Sequence, residues 1–173
     1  MKKHTFEEVE ALIDQHPEIE FQSPRSVCVG ASEDTIQQAE AILGIGFPED
    51  YRKFLSKWGC LTMFAYGCDD IYGIINNDVH IIKYPSTIYM TLFARKPEGP
   101  EKCYPELPEY YIVVYCDEGD AYYCIDTRDP DGPVISWNCF DHCIEFNLAD
   151  SFVDFLYKMV AESIEYLESE SGT

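Results

Sequence analysis

The sequence predicts an α+β fold with N-terminal helices, a central and largely antiparallel sheet, and a C-terminal helix packed on that sheet. Apolar residues recur at helical spacing up to Gly59, and short runs rich in Tyr, Ile, Val and Phe follow from Leu61. An apolar stripe at helical spacing returns after Asp150. The 173 residues, 46% of them hydrophobic, suffice for one core, so we expect a single domain spanning residues 1-173.

Three helices are predicted before Gly59, each with a recognisable start. The first follows a capping box formed by Thr5 and Glu8, and the second follows Ser32, a favourable N-cap residue. The third begins at Pro48, because proline is favoured in the first turn of a helix. The apolar positions expected to face the core are Phe6, Val9, Ile13, Ile36, Ala39, Leu43, Tyr51, Phe54, Leu55 and Trp58.

Five runs after Gly59 are predicted as strands of one sheet, because β-branched and aromatic residues favour extended backbone. Turns rich in Asp, Gly and Pro separate the later runs, at residues 117–120 and 129–133. Residues 86–95 are predicted as a short helix, whereas residues 96–108, with four prolines, are predicted as a loop. The predicted strands are residues 61–66, 71–75, 110–116, 121–125 and 133–139.

The final helix is predicted to begin near Asp150 and to present Phe152, Phe155 and Leu156 to the core. The longest apolar run, residues 110–116, has seven residues, whereas a membrane-spanning helix needs about 20. Acidic residues soon follow the N-terminal lysines, where a signal peptide needs an uncharged apolar segment. We therefore expect a cytoplasmic protein.

Charge is the most informative feature of the composition. The chain has 32 acidic and 12 basic residues, a formal net charge of -20, and residues 110–173 carry -12 of it. Binding to nucleic acids or anionic membranes depends on Lys and Arg, so the composition argues against both. An acidic excess of this size attracts cationic surfaces and speeds association with them. The expected partner is therefore a basic protein domain.

The cysteines are expected to be free thiols that behave as small buried hydrophobic residues. A chain without an export signal normally keeps its thiols reduced. No CxxC pair is present, and several cysteines lie inside apolar or aromatic runs. The eight residues are Cys28, Cys60, Cys68, Cys103, Cys116, Cys124, Cys139 and Cys143.

Two groups of residues are candidates for a metal site. Cys139, His142 and Cys143 offer three soft ligands for zinc but no obvious fourth. The turn at residues 117–120 gathers three carboxylates without the ligand spacing or glycine position of a calcium loop. We therefore predict no metal, no cofactor and no catalytic residue. A Cys-His hydrolase is the remaining catalytic alternative. It would need one of three histidines to lie near a cysteine in the folded chain: His4, His16 or His80.

Candidate partner-contacting residues come from acidic turns and from a tyrosine-rich strand. Aspartate side chains in turns commonly hydrogen-bond to nearby backbone, but a tight turn also brings its carboxylates together at the surface. Tyr122 and Tyr123 are expected on opposite faces of one strand, so at least one of them is expected at the surface. Tyrosines pack across sheets and are also enriched in interfaces. The candidates are Asp69, Asp70, Asp117, Glu118, Asp120, Tyr122 and Tyr123.

The N-terminal half carries an ordered set of motifs. Residues 43–55 read LGIGFPEDYRKFL, a helix carrying Glu40 precedes them, and Trp58-Gly59 follows. At these residues the chain resembles the SUKH superfamily of Smi/Knr-type proteins. The later half is similar in its acidic glycine turn and in the start of its last helix, so the resemblance spans most of the chain, about Thr5 to Glu168.

The resemblance implies an α+β fold and, in bacteria, a cytoplasmic immunity protein that neutralises a polymorphic toxin, often a nuclease or a deaminase. The family's motif residues look structural, so the resemblance transfers no catalytic role. The alternative is a scaffold or regulatory protein-binding module, as in the fungal cell-wall regulators of the superfamily. The expected basic partner and the short chain favour an immunity protein.

Overall fold

A computed structural model describes residues 3–16, 29–63, 69–96, 107–117 and 121–171. Within these residues, helices surround a four-stranded antiparallel sheet, and a second sheet has two strands. The predicted α+β class, with N-terminal helices and a C-terminal helix on the sheet, is confirmed. The helices are α1 (Phe6–Gln15), α2 (Glu33–Leu43), α3 (Glu49–Lys57), α4 (Thr87–Arg95) and α5 (Phe152–Ser171).

The strands differ from the prediction in two respects. The expected single sheet is two sheets, with β1 paired to β2 and the order β3-β4-β5-β6 in the larger one. The last strand, β6, was not predicted from the sequence. The strands are β1 (Leu61–Met63), β2 (Asp69–Ile71), β3 (Tyr111–Asp117), β4 (Ala121–Asp126), β5 (Val134–Asn138) and β6 (Cys143–Ala149).

The predicted strand at residues 71–75 is wrong. Strand β2 ends at Ile71, Gly73 forms only an isolated parallel bridge with Ser86, and a short 3-10 helix spans Ile75–Asn77. Asn76 and Asn77 both have positive φ, a conformation that asparagine tolerates better than most residues and that ends a strand. The predicted strand at residues 61–66 is present up to Met63, and its remainder lies outside the described residues.

The helices begin where the capping residues predict. The Thr5 hydroxyl accepts the Glu8 N–H at 3.3 Å, and the Glu8 carboxylate accepts the Thr5 N–H at 2.7 Å. The Ser32 hydroxyl accepts the Thr35 N–H at 3.2 Å. Pro48 is the residue before α3 rather than its first residue. These local bonds satisfy amides that the first helical turn leaves without a partner.

Glu40 joins α2 to α3. Its Oε1 accepts the Phe47 N–H at 2.7 Å and also a hydrogen bond from the Arg52 guanidinium. Arg52 reaches Glu33 as well, so one arginine holds two acids of α2. The glutamate of the motif at residues 40–55 therefore has a structural role, as the resemblance implied.

The larger core lies between one face of the four-stranded sheet, α5 and the N-terminal helices. Phe54 of α3 meets Phe152 of α5 edge to face, with ring centroids 5.4 Å apart. A smaller cluster, which includes Tyr111 and Val113, lies on the other face of the sheet and includes residues of α4. Both clusters include residues of the same strands, β3 and β4 among them.

The outer edge of β3 is covered by other parts of the chain. The Thr87 hydroxyl donates to the Val113 carbonyl at 2.7 Å, and the Thr91 hydroxyl accepts the Val113 N–H at 3.0 Å. The Tyr72 N–H donates to the Val114 carbonyl at 2.8 Å. Both threonine side chains are fully buried, so this edge is closed to another chain.

The prediction that every cysteine is free is wrong at Cys60, which is disulfide-bonded. Cys60 is fully buried, and burial limits the access of reductants to its disulfide. Burial raises the pKa of the Cys124 thiol well above its ordinary value, so that thiol stays protonated. The described cysteines that are not in a disulfide are Cys116, Cys124, Cys139 and Cys143, whereas Cys28, Cys68 and Cys103 lie outside the described residues.

Candidate partner-binding surface

Asp69 and Asp70 lie in β2, so their predicted placement in a loop is wrong. Asp70 is only 6% exposed. Its carboxylate accepts a hydrogen bond from the Tyr84 hydroxyl, which in turn accepts one from Tyr72. Asp70 is therefore not among the exposed carboxylates, because a tyrosine distant in sequence holds it inside.

Asp117 is exposed at the end of β3. Its carboxylate accepts a hydrogen bond from the Tyr123 hydroxyl at 3.1 Å. Burial, and then the nearby Asp117 carboxylate, raises the pKa of Tyr123 to about 12, so the hydroxyl remains a donor at neutral pH. Glu118 and Asp120, the other predicted acids of this turn, lie outside the described residues.

Tyr122 and Tyr123 lie on opposite faces of the sheet, as predicted. Tyr123 packs with Tyr115 and Phe155, at centroid distances of 5.0 and 6.1 Å, on the face that α5 covers. Tyr122 packs against the smaller cluster on the other face. Both tyrosines are half-buried, so neither stands free of the sheet.

Tyr122 belongs to a cross-strand row that the sequence analysis did not identify. The register places Cys116 opposite Tyr122, Tyr122 opposite Trp137, and Trp137 opposite Ile144. Directly opposed residues share a face of the sheet, so the four side chains form a band on the face away from α5. The first three are half-buried and Ile144 is 49% exposed. We call these four residues the aromatic row.

The β5–β6 hairpin adds two exposed phenylalanines to this region. Phe140, in the turn, is 55% exposed, and Phe146 is 52% exposed. Phe146 lies opposite Ser136, which lies opposite Tyr123, so Phe146 is on the face that α5 covers. Isolated exposed apolar residues are common, but three of them on one hairpin indicate a contact surface.

The sequence contained a signal for this hairpin. Ile144, Phe146 and Leu148 alternate with Glu145 and Asn147, and such a period of two is typical of a strand. The predicted strands ended at Cys139, so this alternation was not assigned to a strand.

Carboxylates lie around the β5–β6 hairpin, and no Lys or Arg lies between Arg128 and Lys158 in the sequence. Asp141 is exposed in the β5–β6 turn, and Glu145 is exposed beside Ile144. Glu145 accepts hydrogen bonds from Ser136 and Asn138, at 3.0 and 2.7 Å. The bonds of Glu145 to Ser136 and of Asp117 to Tyr123 place both carboxylates with Phe146 on the face that α5 covers, opposite the aromatic row. The outer end of the sheet therefore exposes apolar residues on both faces and carboxylates beside them, a mixture that is usual in protein interfaces. The hairpin surface comprises the aromatic row, Phe140, Phe146, Asp117, Asp141 and Glu145.

The described residues contain no group of three His, Cys, Asp or Glu placed to hold a metal ion. Cys139 is buried and Cys143 is exposed, with His142 in the turn between them. His4 and His16 flank opposite ends of α1, so the two do not share a site. In the part of the chain that the structure covers, no helix is both long enough and apolar enough to cross a membrane.

Together, the fold and the hairpin surface define an α+β protein whose exposed features suit contact with another protein. The SUKH_5 family model, described as SMI1-KNR4 cell-wall, matches residues 9–161. The chain belongs to this family, and the predicted membership of the SUKH superfamily is confirmed.

A solved structure supports the fold separately. The crystal structure of a protein from Pseudomonas syringae pv. tomato matches with a TM-score of 0.54 and 21% sequence identity. The match covers 82% of this chain and 90% of that chain. At this identity the likeness shows the fold alone.

Proposed function

We propose that this chain is an immunity protein that binds and neutralises a cognate polymorphic toxin with a basic nuclease or deaminase domain. The hairpin surface is the main support for this proposal, because it exposes apolar residues on both faces of the sheet near carboxylates, in a chain of net charge -20. Family membership supports a protein-binding role, and the charge supports a cationic partner. The protein would act in the cytoplasm, without a cofactor, catalysis, nucleic acid or membrane.

Aromatic and charged residues would contribute differently to the complex. Half-buried Trp137 and Tyr122 can lose their remaining water against a partner, and such rigid aromatic residues commonly dominate binding energy. Exposed carboxylates such as Asp117 and Asp141 would mainly steer the partner and raise the association rate. We therefore assign the binding affinity mainly to the aromatic row, and the selectivity for a basic partner to the exposed carboxylates.

The acidic surface also suggests how the toxin would be blocked. Enzymes that act on nucleic acids bind phosphates through Lys and Arg. Carboxylates placed against those side chains would compete with phosphate for the same contacts. The inhibitor would therefore cover the substrate-binding region without any reaction of its own.

The alternative is a scaffold or regulatory protein-binding module of the same superfamily. The description of the matching family, SMI1-KNR4 cell-wall, favours this alternative. The two functions differ in their partner, since only an immunity protein must suppress the toxicity of one cognate domain. A toxicity assay therefore separates them.

The experiment is co-expression with a basic toxin domain identified among the neighbouring genes, in a bacterial host that the domain alone kills. We expect the wild-type protein to restore growth and to co-purify with the toxin domain in a stoichiometric complex. A basic toxin domain from an unrelated locus is the control and should remain toxic. Undiminished killing by the neighbouring domain, with both proteins expressed and soluble, would contradict the proposal.

A further inference from the structure

The four-stranded sheet has one edge that other segments cover and one edge that is exposed. The outer edge of β3 is closed by Tyr72, Thr87 and Thr91. Among the backbone hydrogen bonds of the described residues, none joins the outer side of β6 to another segment. Residues 143–147 of this seven-residue strand are exposed. An edge of this kind presents backbone donors and acceptors for pairing with another strand.

The side chains of β6 do not protect the edge in the usual way. Exposed edge strands commonly carry lysine or proline, and β6 has neither. It exposes Ile144 on one face of the sheet and Phe146 on the other. A strand laid along β6 would cover apolar surface on both faces and would extend the aromatic row past Ile144.

Charge identifies the occupant of this edge. A second copy of this chain would be repelled, because both copies carry a net charge of -20. Pairing through β6 would also place Glu145 and Asp141 near the same acidic residues of the other copy. Two register shifts between β5 and β6 also twist the strand, which disfavours pairing of identical flat edges. An extended segment containing Lys or Arg would instead meet carboxylates along the hairpin.

From this contrast we propose that the cognate toxin domain docks by β-strand addition, placing a basic, extended segment along the outer edge of β6. The proposal rests on the immunity function and names the contact through which that function is exerted. Backbone hydrogen bonds to β6 would give a common framework, while Ile144, Phe146 and the flanking acids would select the segment.

The first test removes the side chains and keeps the backbone. The double variant Ile144→Ser/Phe146→Ser should bind the toxin domain at least about tenfold more weakly by calorimetry, since buried apolar anchors dominate such interfaces. The matched control is Ile82→Ser/Ile42→Ser, which removes two exposed isoleucines elsewhere on the molecule and should bind like the wild type. Thermal melting would verify that both variants are folded.

The second test is hydrogen exchange of the free wild-type protein and of its complex with the toxin domain. Amides of residues 143–149 should exchange at least about tenfold more slowly in the complex, because strand addition protects the outward amides of β6. A complex that leaves these amides unchanged would overturn strand addition while the immunity function stands. If the wild type forms no complex, both proposals fail, and self-association through β6 in the absence of toxin would make a second copy the occupant.

Discussion

An ion pair between two side chains, Asp126 and Arg128, lies at the end of β4. At the end of β4, the Asp126 carboxylate accepts hydrogen bonds from the Arg128 guanidinium at 2.9 and 2.6 Å. The same guanidinium lies 3.8 Å from the centroid of the Tyr110 ring. The Arg128 hydrogen bonds hold the pKa of Asp126 below its ordinary value. Asp126 is therefore stabilised in its charged form in the folded state.

This shift predicts a pH-dependent effect of Asp126→Asn. Because the folded-state pKa is depressed, the stabilisation is fully present above the ordinary value of 3.8 and is lost as the pH falls through the lower folded-state value. The variant should be less stable than the wild type at neutral pH, and the difference should shrink below pH 3.8. Urea unfolding at several pH values measures it, with exposed Asp141→Asn as the control. A constant difference across this range would show that Asp126 acts through something other than its charge.

Truncation of Phe54 is expected to cause a large loss of stability. It is fully buried and contacts the rings of Tyr51, Trp58 and Phe152. Phe54→Ala should lower the free energy of unfolding by about 3 to 5 kcal/mol, because a large cavity remains. Phe93→Ala, at a side chain that is 40% exposed, should cost less than about 1 kcal/mol. Equal losses in chemical denaturation would refute the packing described for α3.

At the scale of elements, the end of α3 packs closely against the segment that follows β2. Gly59 has a φ of 75°, and its carbonyl accepts the Ile74 N–H at 2.8 Å. A Cβ atom on Gly73 would lie 1.7 Å from the Gly59 carbonyl oxygen. The two backbones can approach this closely only because both residues are glycine.

Gly73→Ala should therefore destabilise the protein by about 3 kcal/mol, since the added methyl group meets backbone that cannot rotate away. Gly46→Ala is the matched control, because a Cβ atom there meets nothing within 4 Å. Thermal unfolding of the two variants measures the difference. A Gly73→Ala protein as stable as the control would contradict this contact.

The elements also show what the sequence could and could not predict. Helices α1 to α3 were predictable because caps such as Thr5 and Ser32 act within a few residues. The end of β2 was not predictable, because Gly73 and Gly59, which are in contact there, lie far apart in the sequence. The aromatic row depends on the register of four strands, and the burial of Asp70 depends on Tyr84. Local patterns therefore predicted the five helices and most of the strands, but neither β6, nor the end of β2, nor the surface formed when the strands pair.

At the scale of the whole molecule, an acidic exterior surrounds a core shared by α5, the N-terminal helices and the sheet. The charge is uneven along the chain, since residues 110–173, which include the hairpin surface, carry -12 of the -20. Charged surfaces act over distances near the Debye length, about 10 Å at moderate salt. The charge should therefore change the association rate of a basic partner more than its dissociation rate.

The acidic turn gives a specific prediction about that rate. Replacing Asp117, Glu118 and Asp120 together with Ser should slow association with the toxin domain and weaken its salt dependence. The melting temperature should change little, because Asp117 is exposed and makes only one described side-chain contact, with Tyr123. Stopped-flow measurement would test this, and a variant that associates at the wild-type rate at both low and high salt would exclude the turn as a contact.

The central claim, that this acidic protein recognises a basic toxin domain, is tested most directly by the association rate of the wild-type pair as a function of salt. Between about 20 and about 500 mM salt the rate constant should fall at least tenfold, while the dissociation rate changes much less. That result would show attraction between opposite charges in the encounter. A rate constant independent of salt, or no association with the neighbouring toxin domain at low salt, would contradict the account.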